Sequence, residues 1–229
     1  MKRSYAVAIA ATLITSFLIP TPANADKKPK VVKKVSQVTK SVSICKPTRA
    51  VGHKPMKLPI PEIKKPFVNR TFTLKTNCGD IQFEADGISA PLTVVSMSYL
   101  ANKGFFDNSP CHRLTTQGIF VLQCGDPSGS GSGGPAWTAP DENLPKGSGN
   151  IYPAGSVAMA NSGPNTNGSQ FFIVYEDDSK LGPNYTFWGK IVKGLDIVKA
   201  VAELGSDNSN GPGDGRPIQP IAIERATAR

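Results

Sequence analysis

The residues best suited to chemistry in this sequence are one arginine and a group of side-chain amides. Arg113 lies between apolar residues in a segment that reads as a β-strand, and Gln123 follows ten residues later. Asn161 and Gln170 bound a connection rich in Gly, Pro and Asn between two apolar runs. Amides and small residues of this kind can hold another polypeptide through hydrogen bonds without using charge. A cluster of Asn and Gly also forms ordinary solvated turns, and composition alone does not separate the two.

Hydrolytic, metal and dinucleotide chemistry have little support. The chain has two histidines, His53 and His112, and no G-x-S-x-G segment. We expect His112 to be a core residue, because neighbours on a strand point to opposite faces and Arg113 is the candidate for chemistry. No C-x₂₋₄-C pair indicates zinc, and the G-x-G-x-x-G spacing at 129–134 is followed by Pro135 where a helix should begin. No cofactor and no metal are expected.

A β-rich domain with two helices is predicted to position these residues. Alternating and apolar runs bounded by Gly, Pro and Asn predict strands, and two longer periodic segments predict helices. The predicted strands are 71–76, 81–84, 111–114, 119–123, 157–160, 171–175, 181–189 and 218–223. The predicted helices are 92–103, with Leu92, Val95, Met97, Tyr99 and Leu100 facing inward, and 195–204, with Leu195, Val198, Val201 and Ala202 facing inward. The segment Thr115–Gly118 is predicted to be a turn.

Two segments carry a resemblance to a known family. Residues 159–172, MANSGPNTNGSQFF, resemble the signature of the cyclophilins, and His112-Arg113 followed by residues 120–126, FVLQCGD, resembles their other active-site segment. The resemblance covers about Phe67 to Glu224. It implies a mainly β (α+β) fold, a closed eight-stranded antiparallel barrel with two helices. It also implies peptidyl-prolyl cis–trans isomerase activity.

In that reading, Arg113 is the catalytic residue. Rotation about an X-Pro amide is slow because twisting destroys C–N resonance, a barrier of about 18–20 kcal/mol. The twisted prolyl nitrogen regains a lone pair, which a guanidinium can stabilise more than it stabilises the planar forms. No proton transfer or covalent step is needed. The competing interpretation is a structural arginine paired to a carboxylate.

The resemblance also implies a binding surface. A proline slot would be formed by Phe120, Val121, Phe172 and Leu181, and peptide-gripping positions are Gln123, Ala160 and Asn161. Gln170 would buttress Arg113. Three positions depart from the usual pattern: Val121 replaces Met, Tyr185 stands where many members have His, and Lys180 stands where many have Trp. The Tyr185 ring can still close the slot, whereas Lys180 cannot replace an indole.

The distribution of charge divides the 229 residues into three parts. Residues 1–25 have a basic start, a short apolar run and an Ala23-Asn24-Ala25 cleavage pattern, which predicts an export signal. An uncleaved anchor is less favoured, because the apolar run is short and interrupted by Thr and Ser. Residues 26–66 carry 12 Lys/Arg and 2 Asp/Glu, whereas 67–229 carry 12 and 15. We therefore predict an exported protein with a basic, disordered linker at 26–66 and an isomerase domain at 67–229.

The positive charge of residues 26–66 leaves two interpretations of this segment open. Its charge could hold the protein near anionic cell-surface polymers or lipid head groups, or it could be a solvated spacer that binds nothing. Nucleic acid is disfavoured, because no aromatic residues are interleaved with the lysines. Proline-containing segments of unfolded proteins are the expected substrates, and a monomer is expected.

The four cysteines are predicted to form disulfides after export. Four cysteines permit three pairings. If Leu114 faces Val121 across the predicted hairpin, Cys111 faces Cys124, which favours that pair and leaves Cys45 with Cys78 by elimination.

Three functions remain open at this point. The first is an exported prolyl isomerase that assists protein folding. The second is a binding module or chaperone that uses the same groove with negligible turnover. The third is a wall-anchoring protein whose basic linker is the functional part. The presence of Arg113 favours the first.

Overall fold

The computed structural model describes residues 45–177 and 179–229. The expected signal segment 1–25 and residues 26–44 of the expected linker lie outside the described residues. The elements are β1 (Arg70–Thr76), β2 (Gly79–Ala85), α1 (Pro91–Asn102), β3 (Ser109–Pro110), β4 (Arg113–Gln117), β5 (Ile119–Cys124), β6 (Ser156–Met159), β7 (Phe171–Val174), β8 (Phe187–Lys193), α2 (Leu195–Glu203), β9 (Asp214–Gly215) and β10 (Ala222–Ala228). Neither helix of this described part is long and apolar enough to cross a membrane.

The strands form one curled antiparallel sheet of ten strands, in the order β3-β10-β1-β2-β8-β6-β7-β5-β4-β9. The expected closed barrel of eight strands is therefore wrong in detail. The additional strands, β3 and β9, have two residues each and pair only with β10 and β4, respectively. A two-residue strand leaves no alternating pattern in a sequence, because about four residues are needed to establish one.

The chain itself spans the gap between the two ends of the sheet. Cys111 donates its backbone N–H to Ile221 beside β10 at 2.9 Å, and His112 donates its own to Gln123 on β5 at 3.1 Å. Residues 111–112 therefore connect the β3–β10 side of the sheet to β4 and β5. This connection delivers Arg113 at the start of β4.

The concave side of the sheet carries the main core. Trp188 on β8 is fully buried, and its ring contacts Phe72 and Phe83 edge-on at centroid distances of 5.2 and 5.1 Å. Helix α1 packs on β10 and β1 and buries Val94, Met97, Leu100 and Ala101. Three residues expected to face inward on α1, namely Leu92, Val95 and Tyr99, are only half-buried. On α2, Val198, Val201 and Ala202 are buried as expected, and Leu195 is half-buried.

Two predicted strands are displaced along the chain. The strand predicted at 181–189 begins at Phe187 and continues to Lys193, because Gly182-Pro183-Asn184 interrupts the earlier residues. The strand predicted at 218–223 begins at Ala222 and continues to Ala228, because Pro220 cannot donate to a ladder. The strands flanking the amide-rich connection and the first hairpin match their predicted positions within about two residues, the usual uncertainty of element ends.

Residues 45–66 contain no helix or strand, but they lie against the domain. Cys45 is buried, Met56 and Leu58 pack against the core, and the His53 backbone donates to Pro127 at 2.7 Å. The His53 ring also hydrogen bonds to the Asp107 carbonyl at 2.9 Å. The disorder expected for 26–66 therefore does not extend to residues 45–66, because a disulfide and these contacts fix them.

Both expected disulfides are present, Cys45–Cys78 and Cys111–Cys124. The register that led to the second pair was nevertheless wrong by one residue: Leu114 faces Leu122, and the strands continue to a turn centred on Gly118. Thr115 and Thr116 belong to β4. Arg113 pairs with Gln123, and His112 before it donates its backbone N–H to the carbonyl of the same Gln123. Cys111 is bonded to Cys124, with their Cα atoms 4.1 Å apart.

Candidate active site

The candidate residues lie on the convex face of β4, β5, β7 and β6. Arg113 pairs with Gln123, Gln123 with Phe172, and Phe172 with Ala158, so these four side chains form one row across the sheet. The neighbouring row contains Thr115, Val121 and Val174. Because side chains alternate between faces, the residues between the rows point into the core. Those residues are Leu114, Leu122, Ile173 and Val157, and all are fully buried.

An apolar cluster on this face lies beside Arg113. It contains the buried residues Val121, Tyr152, Ala158, Phe172 and Val174, with Leu181, Tyr185 and Ala160 among those packed around it. The Tyr185 ring meets Phe172 edge-on at 5.2 Å between centroids. Tyr152, which sequence reasoning missed, donates its hydroxyl to the Tyr185 carbonyl at 2.7 Å and accepts the Tyr185 N–H at 3.0 Å. Burial raises the pKa of Tyr152 to about 12, so the hydroxyl that makes both hydrogen bonds stays protonated.

The Arg113 guanidinium is held from two sides. Its Nε and Nη2 atoms donate to the Asp214 carboxylate, with shortest distances of 2.9 and 2.6 Å. Nη1 donates to Gln123 Oε1 at 3.3 Å. The hydrogen bond to Asp214 raises the pKa of Arg113, against the opposing effect of burial, and the Arg113 guanidinium lowers the pKa of Asp214. The ion pair is partly exposed, with 34% of the Arg113 side chain and 25% of the Asp214 side chain accessible.

Gln170 supports Arg113 indirectly. Gln123 Nε2 donates to Gln170 Oε1 at 2.9 Å, and Gln170 Nε2 donates to the carbonyls of Gly131 and Gly133 at 2.9 and 3.0 Å. The support expected from Gln170 therefore reaches Arg113 through Gln123. A chain of polar contacts thus joins Arg113 through two amides to the Gly/Ser-rich loop at 126–134.

That loop is organised around one buried carboxylate. Asp126 accepts hydrogen bonds from the backbone N–H groups of Ser128, Gly131 and Gly133 and from the hydroxyls of Ser128 and Ser130. Burial alone would raise the pKa of Asp126, but these bonds more than offset it and lower the pKa to about 2. The Gly/Ser-rich loop therefore forms a folded cage around Asp126.

Four of the expected binding residues surround one polar cavity of about 340 Å³. They are Gln123, Ala160, Asn161 and Gln170, and the opposite wall is the loop from Gly131 to Pro135. The Asn161 side chain is itself engaged, since it donates to the Asn184 carbonyl at 2.8 Å and accepts from the Gly163 N–H at 3.2 Å. The cavity therefore presents backbone and amide groups without a charged side chain.

The remaining expected residues lie on other sides of the apolar cluster. Phe120 lines a second cavity of about 560 Å³ with Gly118, Asn150, Asp177 and the exposed Lys180. Leu181 is half-buried against the cluster. His112 is buried beside the 126–134 loop, as expected of a core residue. Within residues 45–177 and 179–229, no three His, Cys, Asp or Glu side chains are grouped to hold a metal ion.

Comparison with known proteins places this geometry in a family. The family described as cyclophilin type peptidyl-prolyl cis-trans isomerase/CLD matches residues 71–228. This range contains both helices and, apart from the first residue of β1, every strand. The chain belongs to this family. The chain is 42% identical over 189 residues to "Probable peptidyl-prolyl cis-trans isomerase B" of Mycobacterium tuberculosis, covering 77% of this chain and 60% of that protein.

Two further similarities are informative about coverage. The chain is 37% identical over 156 residues to "Peptidyl-prolyl cis-trans isomerase CYP18-1" of Arabidopsis thaliana, which covers 68% of this chain and 93% of that protein. A crystal structure of a Cryptosporidium parvum cyclophilin type peptidyl-prolyl cis-trans isomerase aligns with a TM-score of 0.61 at 28% identity, covering 71% of this chain and 98% of that one. The chain thus spans more than nine tenths of these two proteins but only 60% of the length of the Mycobacterium tuberculosis relative.

Sequence reasoning missed three features of this cyclophilin site: Asp214, Tyr152 and the Asp126 cage. Asp214 lies in a Gly- and Pro-rich loop, 101 residues after Arg113, and no spacing rule connects residues that far apart. Tyr152 precedes the first strand of the recognised segment, inside a connection of Gly, Ser and Asn. The density of Gly and Ser after Asp126 was the one available signal, since such residues leave backbone N–H groups free to surround an anion.

Proposed function

We propose that this cyclophilin catalyses cis–trans isomerisation of X-Pro bonds in segments of unfolded or partly folded exported proteins. The observation that carries the proposal is the position of Arg113. Its guanidinium lies in the same row of side chains as Phe172 and is hydrogen-bonded to Gln123, which lines the polar cavity. A bound peptide could place its proline ring in the slot and its preceding residues along the cavity.

The chemistry requires little more than this arrangement. A guanidinium has five N–H groups, and three of those on Arg113 are engaged by Asp214 and Gln123. Two therefore remain for a substrate. In the twisted transition state they would stabilise the prolyl lone pair, and the gain is specific to that state because the planar amide nitrogen lacks it. Val121, Phe172, Leu181 and Tyr185 would hold the ring, with Phe120 at the outer wall. Gln123, Ala160 and Asn161 would hold the flanking backbone.

Export is supported by the two disulfides, since such bonds persist in oxidising compartments. The proposed division of the chain is a signal at 1–25, a basic segment and an isomerase domain. The structure suggests moving the boundary of the folded unit to about residue 45, because Cys45 is buried and bonded to Cys78.

We propose a second, separable role for the basic segment, which is attraction to anionic polymers at the cell surface. Residues 45–66 contain six Lys/Arg and one Glu, and all six basic side chains are exposed. Charges presented in this way attract polyanions at low ionic strength and are screened within about 8 Å at physiological salt. A monomer suffices for either role.

Isomerisation of an Ala-Pro peptide by the purified chain tests the main proposal. We expect an exchange rate between the cis and trans peptide that rises in proportion to protein concentration. Binding of the same peptide is measured in parallel by titration. Binding without acceleration would favour the alternative, a proline-peptide-binding module or chaperone with negligible turnover, and absence of both would exclude either reading.

A further inference from the structure

Within residues 45–177 and 179–229, the carboxylate of Asp214 is the one charged group bonded to Arg113. It contacts two nitrogens of the guanidinium on one edge, and Gln123 contacts the third nitrogen. We propose that Asp214 is a positioning residue of this site: its carboxylate fixes the plane of the Arg113 guanidinium so that the two unengaged N–H groups face the proline slot. The inference rests on the proposed isomerase function.

The backbone places Asp214 where this role requires it. Strand β9 pairs with β4 so that Asp214 is opposite Thr115, two residues from Arg113 on the same face of the strand. The ladder therefore sets the distance between carboxylate and guanidinium. A third donor, Asn210 Nδ2 at 3.2 Å, holds the carboxylate from its own loop.

The loop that carries Asp214 is itself fixed by polar contacts. Asp207 Oδ1 accepts the backbone N–H groups of Ser209 and Arg216 at 3.0 and 2.8 Å, and Asn208 Oδ1 accepts that of Gly213 at 2.7 Å. Gly213 in turn accepts the Thr116 N–H of β4 at 2.7 Å. A carboxylate on such a loop loses little entropy when it binds Arg113, so the pair can be rigid although it is partly exposed.

The geometry distinguishes positioning from simple charge neutralisation. A guanidinium on a long flexible chain samples many orientations, and two parallel N–H···O bonds to one carboxylate restrict it to one plane. A displacement of about 1 Å at a reacting group can cost about a hundredfold in rate. Among the described residues, the Asp214 carboxylate accepts hydrogen bonds from Arg113 and Asn210, so its removal should change turnover through Arg113 while leaving the apolar surface for the proline ring intact.

The test compares Asp214→Ala, Asp214→Asn and Asp214→Glu with the parent chain in the Ala-Pro isomerisation assay. We expect Asp214→Ala to lower kcat/KM about tenfold, mainly through kcat. Asp214→Asn should behave similarly, because its amide offers one accepting oxygen and no charge, and Asp214→Glu should recover part of the loss. Asp80→Ala on β2, a strand that pairs with β1 and β8, is the matched control and should match the parent chain.

A double-mutant cycle with Arg113→Ala provides the decisive readout. If Asp214 acts through Arg113, adding Asp214→Ala to Arg113→Ala should cause no further loss. The same tenfold loss in both backgrounds would overturn positioning and indicate a structural effect. Unchanged or increased activity of Asp214→Ala alone would also overturn it, the latter by showing that Asp214 restrains Arg113. An inactive parent chain would instead overturn the proposed function, and far-ultraviolet circular dichroism of each variant confirms folding before the rates are compared.

Discussion

The proposed proline slot and the polar cluster of this cyclophilin meet at β5 but are held together differently. The slot is formed by side chains that face outward from β5, β6 and β7 and contact one another, with Tyr152 and Tyr185 closing one side. The polar cluster draws Asp214, Arg113, Gln123 and Gln170 from four separate elements and joins them end to end through hydrogen bonds. Packing contacts are individually weak and non-directional, whereas a hydrogen-bonded chain depends on every member.

The slot and the polar cluster should therefore respond differently to mutation. Removing one slot side chain should weaken binding gradually, because the remaining contacts persist. Removing one member of the polar cluster should affect its neighbours as well, because an unpaired buried polar group is costly. We therefore expect slot variants to change KM and cluster variants to change kcat.

Loss of the guanidinium should be the most damaging change in the cluster. Arg113→Ala should lower kcat/KM at least about a hundredfold, equivalent to about 2.7 kcal/mol of transition-state stabilisation. Arg113→Lys should recover little, because one ammonium cannot contact Asp214 and Gln123 as a planar fork does. The isomerisation assay measures both, with the exposed Arg225→Ala on β10 as a matched control. Near-parental rates in Arg113→Ala would refute its catalytic role.

The hydrogen bonds around Asp126 should stabilise the folded protein and also hold the polar cluster in place. A pKa lowered from 3.8 to about 2 corresponds to about 2 kcal/mol of stabilisation. Because the folded-state pKa is depressed, this contribution is present above about pH 4 and is lost as the pH falls toward 2. Asp126→Asn should therefore unfold at lower denaturant concentration at pH 7, with a smaller difference from the parent at low pH.

Asp126→Asn should also lower the rate of isomerisation. The carbonyls of Gly131 and Gly133 hold Gln170, so a loosened cage should lower kcat severalfold while leaving the slot unchanged. Asp80→Asn provides the same chemical change at a site outside the cage. A variant that loses stability but keeps the parental kcat would show that the loop and Arg113 are not coupled.

Truncation of Tyr185 tests how much one slot side chain contributes to substrate binding. Its ring meets Phe172 edge-on, a contact worth about 0.5–1.5 kcal/mol beyond buried area. Tyr185→Ala should raise KM up to about tenfold with a smaller change in kcat. Tyr185→Phe keeps the ring and should resemble the parent chain. If Tyr185→Phe is as defective as Tyr185→Ala, the hydroxyl rather than the ring matters and Tyr185 belongs with the polar cluster.

The two regions also differ in how much of each could be predicted from sequence. Val121 and Phe172 were expected from the family resemblance, and strand alternation, which a sequence displays directly, separates their face from that of the core residues between them. The contact of Arg113 with Asp214 depends on a two-residue strand, β9, that leaves no pattern. The hairpin register was missed because Thr115 and Thr116 extend β4 to a turn centred on Gly118, and side-chain identities alone do not fix where a hairpin turns. The disorder expected for 45–66 was likewise reversed by a disulfide and long-range contacts that composition cannot show.

Substitution of His112 should have the smallest effect, and it should change the free energy of unfolding rather than the rate of isomerisation. Its ring is buried, and neither ring nitrogen has a hydrogen-bond partner among the described residues. Burial lowers the pKa of His112, Asp126 and the nearby Gln170 side chain act in the opposite direction, and Arg216 and Arg113 reinforce the lowering. In the unfolded chain the same ring titrates near 6.5. Between that value and the lower folded-state pKa, the unfolded chain binds more protons than the folded protein does.

The consequence is a loss of stability as the pH falls through this window. The slope for one proton cannot exceed about 1.4 kcal/mol per pH unit. Denaturant unfolding from pH 7 to pH 5 should therefore show a decline in the free energy of unfolding that is smaller in both His112→Phe and His112→Gln. These substitutions remove the titration in two ways, one by keeping an apolar ring and one by keeping an amide. An undiminished slope in both variants would assign the decline to other groups and leave His112 without a role in acid stability. A fall in kcat that exceeds any loss of folded protein would instead place His112 in the polar cluster beside Arg113.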